Sequence, residues 1–477
     1  MTTRAIALAF VAVLGLVGCT TGDTGGSPST TPSTTPSTRD SARPGDRDED
    51  AVLAAVRQLD LCALLDRAKA GGPFAGARPV ARRPFECVLS GAADLVAVSV
   101  TGIGHGTRVE SVTRSVGGAK AYVEQGGGCY VHLPVSFTTA LRFSQAPASN
   151  CASLTGLADA AVAALANPDT FRAKPVWDAC TALAGVLDAD DAALSGNGPA
   201  DCTSREPAAS ISFADDLPPS GERKPSRTTS IGGTRALVYE EAENCAVYWR
   251  QGPFDVRYGA AADFQVVART SECGGATDLA ESLMAVLGEA PPDDVAPQRP
   301  LLYRPDEPDS PYPGACAYVD ELDPDGCAPY VAVAVPDDPA EILSAAADDA
   351  DVQCAMAVRS VGARFGSELV PVADSGAGTR CFFVEPERRL QITFSLSHGK
   401  VVNSFGGEPV TISGHPGYVT TDGTSIAYEL STATILDGEG TLTLRVSTGP
   451  ADADPLARAM ALKADSVLAD VLDSYFS

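Results

Sequence analysis

Cationic side chains are scarce in this chain. Its 35 Lys and Arg stand against 61 Asp and Glu, for a formal net charge of −26 at pH 7. A surface this acidic repels nucleic-acid phosphates and anionic head groups, which excludes nucleic acid as a partner and leaves membrane contact to an anchor. Histidine is scarcer still: His105, His132, His398 and His415 are the four. There is no His-Glu-x-x-His and no Gly-x-Ser-x-Gly elbow, so a zinc peptidase or a serine hydrolase has no signature here. Gly102-Ile103-Gly104-His105-Gly106 lacks the third glycine that a phosphate-cradling loop needs. No Cys-x-x-Cys occurs, which removes the usual redox and zinc-knuckle spacings. Nothing in the sequence calls for a cofactor.

Long apolar runs are also missing, with one exception at the N-terminus. After Arg4, residues 5–17 are uncharged and mostly apolar, and they end in Leu16-Val17-Gly18-Cys19. The run is too short for an ordinary spanning helix and has the form of a signal peptide, residues 1–18, ending in a lipobox. Cys19 is then expected to be the mature N-terminus, acylated (palmitate or a similar chain), and the protein a lipid-anchored resident of the extracytoplasmic face of the cell membrane. Residues 19–50 hold a run of only Pro, Ser and Thr from Pro28 to Thr38. Such a segment has too little apolar surface to offset its ordering entropy, so it reads as a disordered tether.

Beyond the tether the hydrophobic content of 44% is that of a globular protein, and the sequence repeats itself. Leu59-Asp60-Leu61-Cys62 returns as Trp177-Asp178-Ala179-Cys180 and as Asp351-Val352-Gln353-Cys354. A second cysteine follows each, at Cys87, Cys202 and Cys381. Val116-Gly117-Gly118-Ala119 recurs as Ile231-Gly232-Gly233-Thr234 and Ile412-Ser413-Gly414-His415. Cys129 with Cys151, and Cys245 with Cys273, complete the first two copies, and the third lacks both partners. Joint loss implies partnership. The pairing expected is Cys62–Cys87, Cys129–Cys151, Cys180–Cys202, Cys245–Cys273, Cys316–Cys327 and Cys354–Cys381, in a disulfide-permissive compartment.

Each copy reads as a helix, period-two strands, a Gly-Gly strand, a hairpin and a closing helix. The fold class expected is α+β: tandem modules, each an antiparallel sheet with two helices packed on one face and stapled by disulfides. The modules span 51–170, 171–290 and 346–477. Residues 291–345 read as a Pro-rich linker followed by a disulfide hairpin, Cys316-Ala317-Tyr318-Val319 into Tyr330–Val335.

The lipobox, the tether, the Asp-x-Cys helix, the Gly-x-x-Ala strand and the later cysteine pair together resemble an uncharacterised actinobacterial lipoprotein family built on a domain of unknown function. The likeness is good over 51–170 and 171–290 and weaker over 346–477. A more distant similarity is to the extracellular sensor domains of mycobacterial serine/threonine kinases. These resemblances imply a fold and an envelope location, and no chemistry.

Candidate chemistry is thin. Glu321, Asp323, Asp325 and Gly326 match the start of a calcium loop, but Ala332 stands where the closing bidentate Glu belongs, so a turn is expected and no metal. Asp188, Asp190 and Asp191 read as a solvated helix end. His415 falls at a repeat position that is Ala119 or Thr234 elsewhere, so it reads as a surface residue and not a base. Tyr248-Trp249 is the most aromatic stretch; in a strand one ring points inward and the other outward, where it is a possible ligand contact. The reading that results is a non-catalytic binding or sensing protein of the envelope, held by its anchor and contacting an envelope polymer, peptide or protein. The alternative is an envelope enzyme acting on glycans through paired carboxylates.

Overall fold

Aspartates set where the cysteine-bearing helices begin. Asp60 accepts hydrogen bonds from the backbone N–H groups of Cys62 and Ala63, both at 3.1 Å, and starts the helix that carries Cys62. Asp178 does the same for Thr181 at 2.9 Å, and Asp349 for Asp351 at 2.9 Å. In the first two copies the Asp of Asp-x-Cys is thus a helix N-cap, the site where a short carboxylate satisfies otherwise orphaned donors; in the third the cap is Asp349 and the repeat's Asp351 lies within the helix. The computed structural model describes residues 45–477 except 71, 91–94, 149–150, 188–193, 215–223, 242–243, 253–263, 321–325, 377, 387–388, 404–405, 423 and 449–457. The described residues fall in one compact unit.

In module one, α1 (Glu49–Gln58) and α2 (Leu61–Ala68) precede β1 (Arg78–Arg83), β2 (Glu86–Ser90) and β3 (Leu95–Gly102). The short α3 (His105–Glu110) leads to β4 (Val112–Val116), β5 (Ala119–Gln125), β6 (Cys129–Pro134) and β7 (Thr139–Ala146), and α4 (Ala152–Ala164) closes the module. Module two holds α5 (Ala179–Leu187), β8 (Leu194–Ser195), β9 (Asp201–Ser204), β10 (Ala209–Ala214), β11 (Arg227–Ile231), β12 (Thr234–Glu241), β13 (Asn244–Gln251), β14 (Phe264–Thr270) and α6 (Cys273–Leu287). Module three begins with β15 (Cys327–Pro329), α7 (Pro339–Asp348) and α8 (Ala350–Phe365). It continues through β16 (Val370–Asp374), β17 (Arg380–Val384), β18 (Leu390–Ser397), β19 (Glu408–Ile412), β20 (His415–Thr421), β21 (Ser425–Ser431) and β22 (Thr441–Thr448) to α9 (Arg458–Tyr475).

The three sheets are antiparallel and share one strand order. They run β1-β2-β3-β7-β6-β5-β4, then β8-β9-β10-β14-β13-β12-β11, then β16-β17-β18-β22-β21-β20-β19 with β15 added outside β16. The third module therefore keeps the topology of the others without their second cysteine pair. On β3 the inward residues Val96, Val98 and Val100 are buried, and the core they enter includes Leu61, Leu64 and Leu65 of α2 and Leu154, Leu157 and Ala161 of α4. The architecture is α+β, as the period-two and helical patterns require. In module one the opposite face is covered as well: α3 carries Arg108, whose guanidinium lies 5.9 Å from the centre of the Tyr122 ring of β5.

The paired glycines sit in turns and not in strands. Gly117 and Gly118 have φ of +59° and +82° between β4 and β5, Gly232 and Gly233 repeat this at +54° and +84°, and Ser413-Gly414 at +47° and +83°. Two successive residues with positive φ give the hairpin turn whose twist matches its strands. The first glycine has a second duty: a Cβ on Gly117 would lie 2.7 Å from the Cβ of Val162 in the closing helix.

Modules one and two share a single core, which runs from Val52 to Leu302 through both sheets. Arg57 of α1 donates from Nε to Asp178 at 2.7 Å, and both side chains are buried. Arg83 of β1 donates to the carbonyl of Phe213 in β10 at 2.8 Å. Module three keeps its own core, from Ile342 to Leu472.

Residues 298–310 depart from the linker expected of a Pro-rich segment: they form a strap laid on module one. Leu301, Leu302 and Tyr303 are buried. Arg47 gathers the strap by donating to the carbonyls of Pro300, Leu301 and Leu302 and to Glu307. Asp46 accepts from the Tyr303 hydroxyl at 2.6 Å and from the N–H of Phe137 at 3.0 Å. The backbone N–H of Lys120 in β5 donates to Tyr303 at 2.9 Å. The expected hairpin into Tyr330–Val335 is also absent. Cys316 lies on a 3₁₀ turn, and β15 stops at Pro329. At the next rung Tyr330 donates to the carbonyl of Pro371 at 3.4 Å, but Pro371 has no N–H to return, and the N–H of Val331 is taken by Asp351 at 3.0 Å.

Candidate functional site

Six bridges join neighbouring cysteines: Cys62–Cys87, Cys129–Cys151, Cys180–Cys202, Cys245–Cys273, Cys316–Cys327 and Cys354–Cys381. Their Cα–Cα distances run from 4.9 Å to 5.9 Å. In modules one and two the first bridge ties α2 or α5 to the sheet and the second ties the start of the closing helix to it. In module three only the first has a counterpart; Cys316–Cys327 pins β15 instead.

Trp249 is fully buried in the core of module two, its Nε1 donating to Gln251 at 3.0 Å. It is therefore unavailable to a ligand, a correction to its reading as a possible contact: in the alternation of β13 its side chain falls on the helix-covered face. Tyr248 takes the other face, edge-on to Tyr239 with ring centres 5.2 Å apart, and its hydroxyl lies 3.3 Å from a guanidinium nitrogen of Arg269. His415 is also corrected. It is buried at the start of β20, its Nδ1 3.1 Å from the carbonyl of Ser431, because the residue after the Gly-type turn points inward. Cys19, residues 321–325 and Asp188, Asp190 and Asp191 lie outside the described residues. Among the described residues no group of His, Cys, Asp and Glu is placed to hold a metal, and no helix is long and apolar enough to cross a membrane.

A groove recurs between the cysteine-bearing helix and the closing helix of every module. In module one it takes Ala68 of α2 with Gly156 and Ala160 of α4, and holds about 470 Å³. In module two it takes Val186 of α5 with Asp278 and Ser282 of α6, about 400 Å³. In module three it takes Ser360 of α8 with Asp470 of α9, about 620 Å³. Ala68, Val186 and Ser360 each stand six residues after the first cysteine. On the closing helices Ala160, Ser282 and Asp470 each immediately precede an inward apolar residue, Ala161, Leu283 and Val471. The place is conserved by the repeat and the chemistry is not. The first groove is rimmed by Lys69, the second by Glu272 and Asp278, the third by Arg359, Asp470 and Asp473. Asp470 accepts from Ser360 at 2.5 Å and from Arg364 at 3.1 Å; the hydroxyl first and the guanidinium next hold its carboxyl below the usual range, which makes it a poor base.

Under the strap lies a buried charge cluster. Asp309 accepts from Lys120 Nζ at 2.8 Å, from the Tyr122 hydroxyl at 3.0 Å and from Arg108 Nε at 3.2 Å. All four residues are at most 7% exposed. Arg108 also donates to the carbonyls of Ile103 and Phe137. Burial, and then Asp309, raise the Tyr122 hydroxyl far above its ordinary range, so it serves as a donor. Next to Tyr122 on the same face is His132, 5% exposed, with neither ring nitrogen hydrogen-bonded. Burial first, then the charges of Arg142 and Arg108, lower its pKa to about 4. The sequence reading missed this cluster; the apolar Leu301-Leu302-Tyr303 inside a Pro-rich segment, read over as linker, is the signal that would have found it.

No family model, no curated protein and no solved structure matches the chain.

Proposed function

We propose that the chain is a lipid-anchored, extracytoplasmic binding or sensing protein of the cell envelope that works without turnover. The observation that carries this reading is the inter-helix groove, present at repeat-equivalent positions in all three modules with a different lining each time. Diversified copies of one surface suit docking, whereas catalysis concentrates its groups at one site. The mix of one basic, one acidic and one mixed rim favours a peptide or protein partner over a uniform polymer. The six bridges fit an oxidising compartment, and Leu16-Val17-Gly18-Cys19 supplies the anchor.

The test fills the grooves one at a time in the full chain, with Ala160→Trp, Ser282→Trp and Ala363→Trp, and measures retention on isolated envelope. Each substitution is expected to weaken retention, and the three together to abolish it. Retention unchanged by all three overturns the reading. Release of fragments from the envelope hands the case to a glycan-cleaving enzyme. Cys19→Ala is expected to shift the protein off the membrane; unchanged membrane association and mass would remove the anchor.

A further inference from the structure

We propose that a second groove, between the end of α4 and the strap, binds a soluble single-chain anionic amphiphile: an alkyl chain ending in a carboxylate. The groove holds about 580 Å³, within the range of small-molecule sites. Val162, Leu165, Phe171, Leu301 and Leu302 line it, and Arg299 is its charged side chain.

Backbone acceptors at the end of α4 and along the strap are engaged. The carbonyl of Ala161 accepts from the N–H of Leu165 at 3.0 Å, and that of Ala164 from Asn167 and from the Thr170 hydroxyl. The carbonyls of Pro300, Leu301 and Leu302 accept from Arg47. The walls therefore favour an apolar tail over a sugar or a peptide backbone, which need free partners.

Arg299 sets the sign of the head. Its guanidinium lies 4.0 Å from the centre of the Phe171 ring, and its Nη1 donates only to the neighbouring carbonyl of Gln298. Among the described residues no carboxylate pairs with it, in a chain with 61 acidic residues. A cation stacked on an aromatic ring and lacking an acid partner keeps donors for an incoming carboxylate. Elsewhere the acidic surface repels such a ligand, so the site is selective by charge as well as by shape.

The experiment uses the unit 41–477, which contains every core and bridge described, and titrates it calorimetrically with laurate below its micelle concentration. Laurate is expected to bind at least about tenfold more tightly than dodecanol, and each methylene removed, through decanoate to octanoate, to weaken binding roughly fourfold. Arg299→Glu should erase the preference for laurate, Arg299→Lys should keep most of it, and Ala166→Trp should block both ligands. Absence of laurate binding, or equal binding of dodecanol untouched by Arg299→Glu, overturns the proposal. So does binding to phosphatidylglycerol vesicles with no dependence on laurate chain length, which would make Arg299 a membrane-surface contact. The inter-helix grooves are separate sites, so either failure leaves the envelope-binding reading to its own test.

Discussion

Asp309 is the residue on which the strap depends. Asp309→Asn would leave Arg108 and Lys120 buried without their carboxylate, and such a loss costs about 3–5 kcal/mol. Chemical denaturation is expected to show this, and Lys120→Met in the same background to recover part of it. A cost below about 1 kcal/mol would show that the cluster is solvated. His132 gives a pH dependence of definite sign. Its pKa falls from 6.5 to about 4 on folding, so the unfolded chain binds the extra proton between those values. The stability due to neutral His132 is fully present above about pH 6.5 and is lost as pH falls toward 4, by about 3 kcal/mol in all. His132→Gln should flatten that part of the curve. Were Glu124, 3.8 Å away on β5, to hold the imidazolium instead, the slope would reverse. Neither residue was legible beforehand: Asp309 reaches Lys120 and Tyr122 from nearly 190 residues away along the chain, and nothing near His132 in sequence marks it as buried.

The hairpin between β4 and β5 separates two roles of glycine. At Gly118 a Cβ meets nothing within 4 Å, so Gly118→Ala carries only the cost of a positive φ, about 1–2 kcal/mol. At Gly117 the same φ penalty is joined by collision with Val162, and the loss should exceed that of Gly118→Ala by at least about 1 kcal/mol in denaturant midpoints. Equal losses would mean that α4 yields freely. The repeat made this motif visible in sequence because the same turn and the same close approach, to Met284 in module two, recur. The helices were legible because the repeat's cysteine falls on their apolar face; that the Asp before it caps the helix in the first two copies shows only in the structure. The false strand at Tyr330–Val335 was not, since Val331, Val333 and Val335 alternate as a strand does. What prevents pairing is a proline on the neighbouring strand, about 40 residues away in sequence.

At the scale of the molecule, three sequence repeats do not make three independent bodies. Modules one and two bury a common set of side chains across Arg57–Asp178, so they are expected to unfold together, and module three apart from them. Calorimetry should resolve two transitions, and Asp178→Asn should lower only the one that carries modules one and two. Three transitions, or a shift in both, would contradict a common core. The repeat announced topology and bridges because each copy has to solve the same local problem. It was silent on how copies meet, since each such contact needs a partner that the repeat does not share: Arg57 for the repeat's own Asp178, and Arg83 for the carbonyl of Phe213.

The bonds that Arg47 and Asp46 make with the strap bear on how the protein withstands being pulled. Any tension arriving through residue 45 meets a guanidinium loaded against three carbonyls and a carboxylate loaded against a tyrosine hydroxyl before it reaches the first turn of α1. Bonds strained side by side share a force and fail together, so this end of the chain should behave as a mooring with a sharp breaking point. In single-molecule pulling from the N-terminus, Arg47→Ala should lower the first rupture force and lengthen the slack released, while leaving later ruptures unchanged.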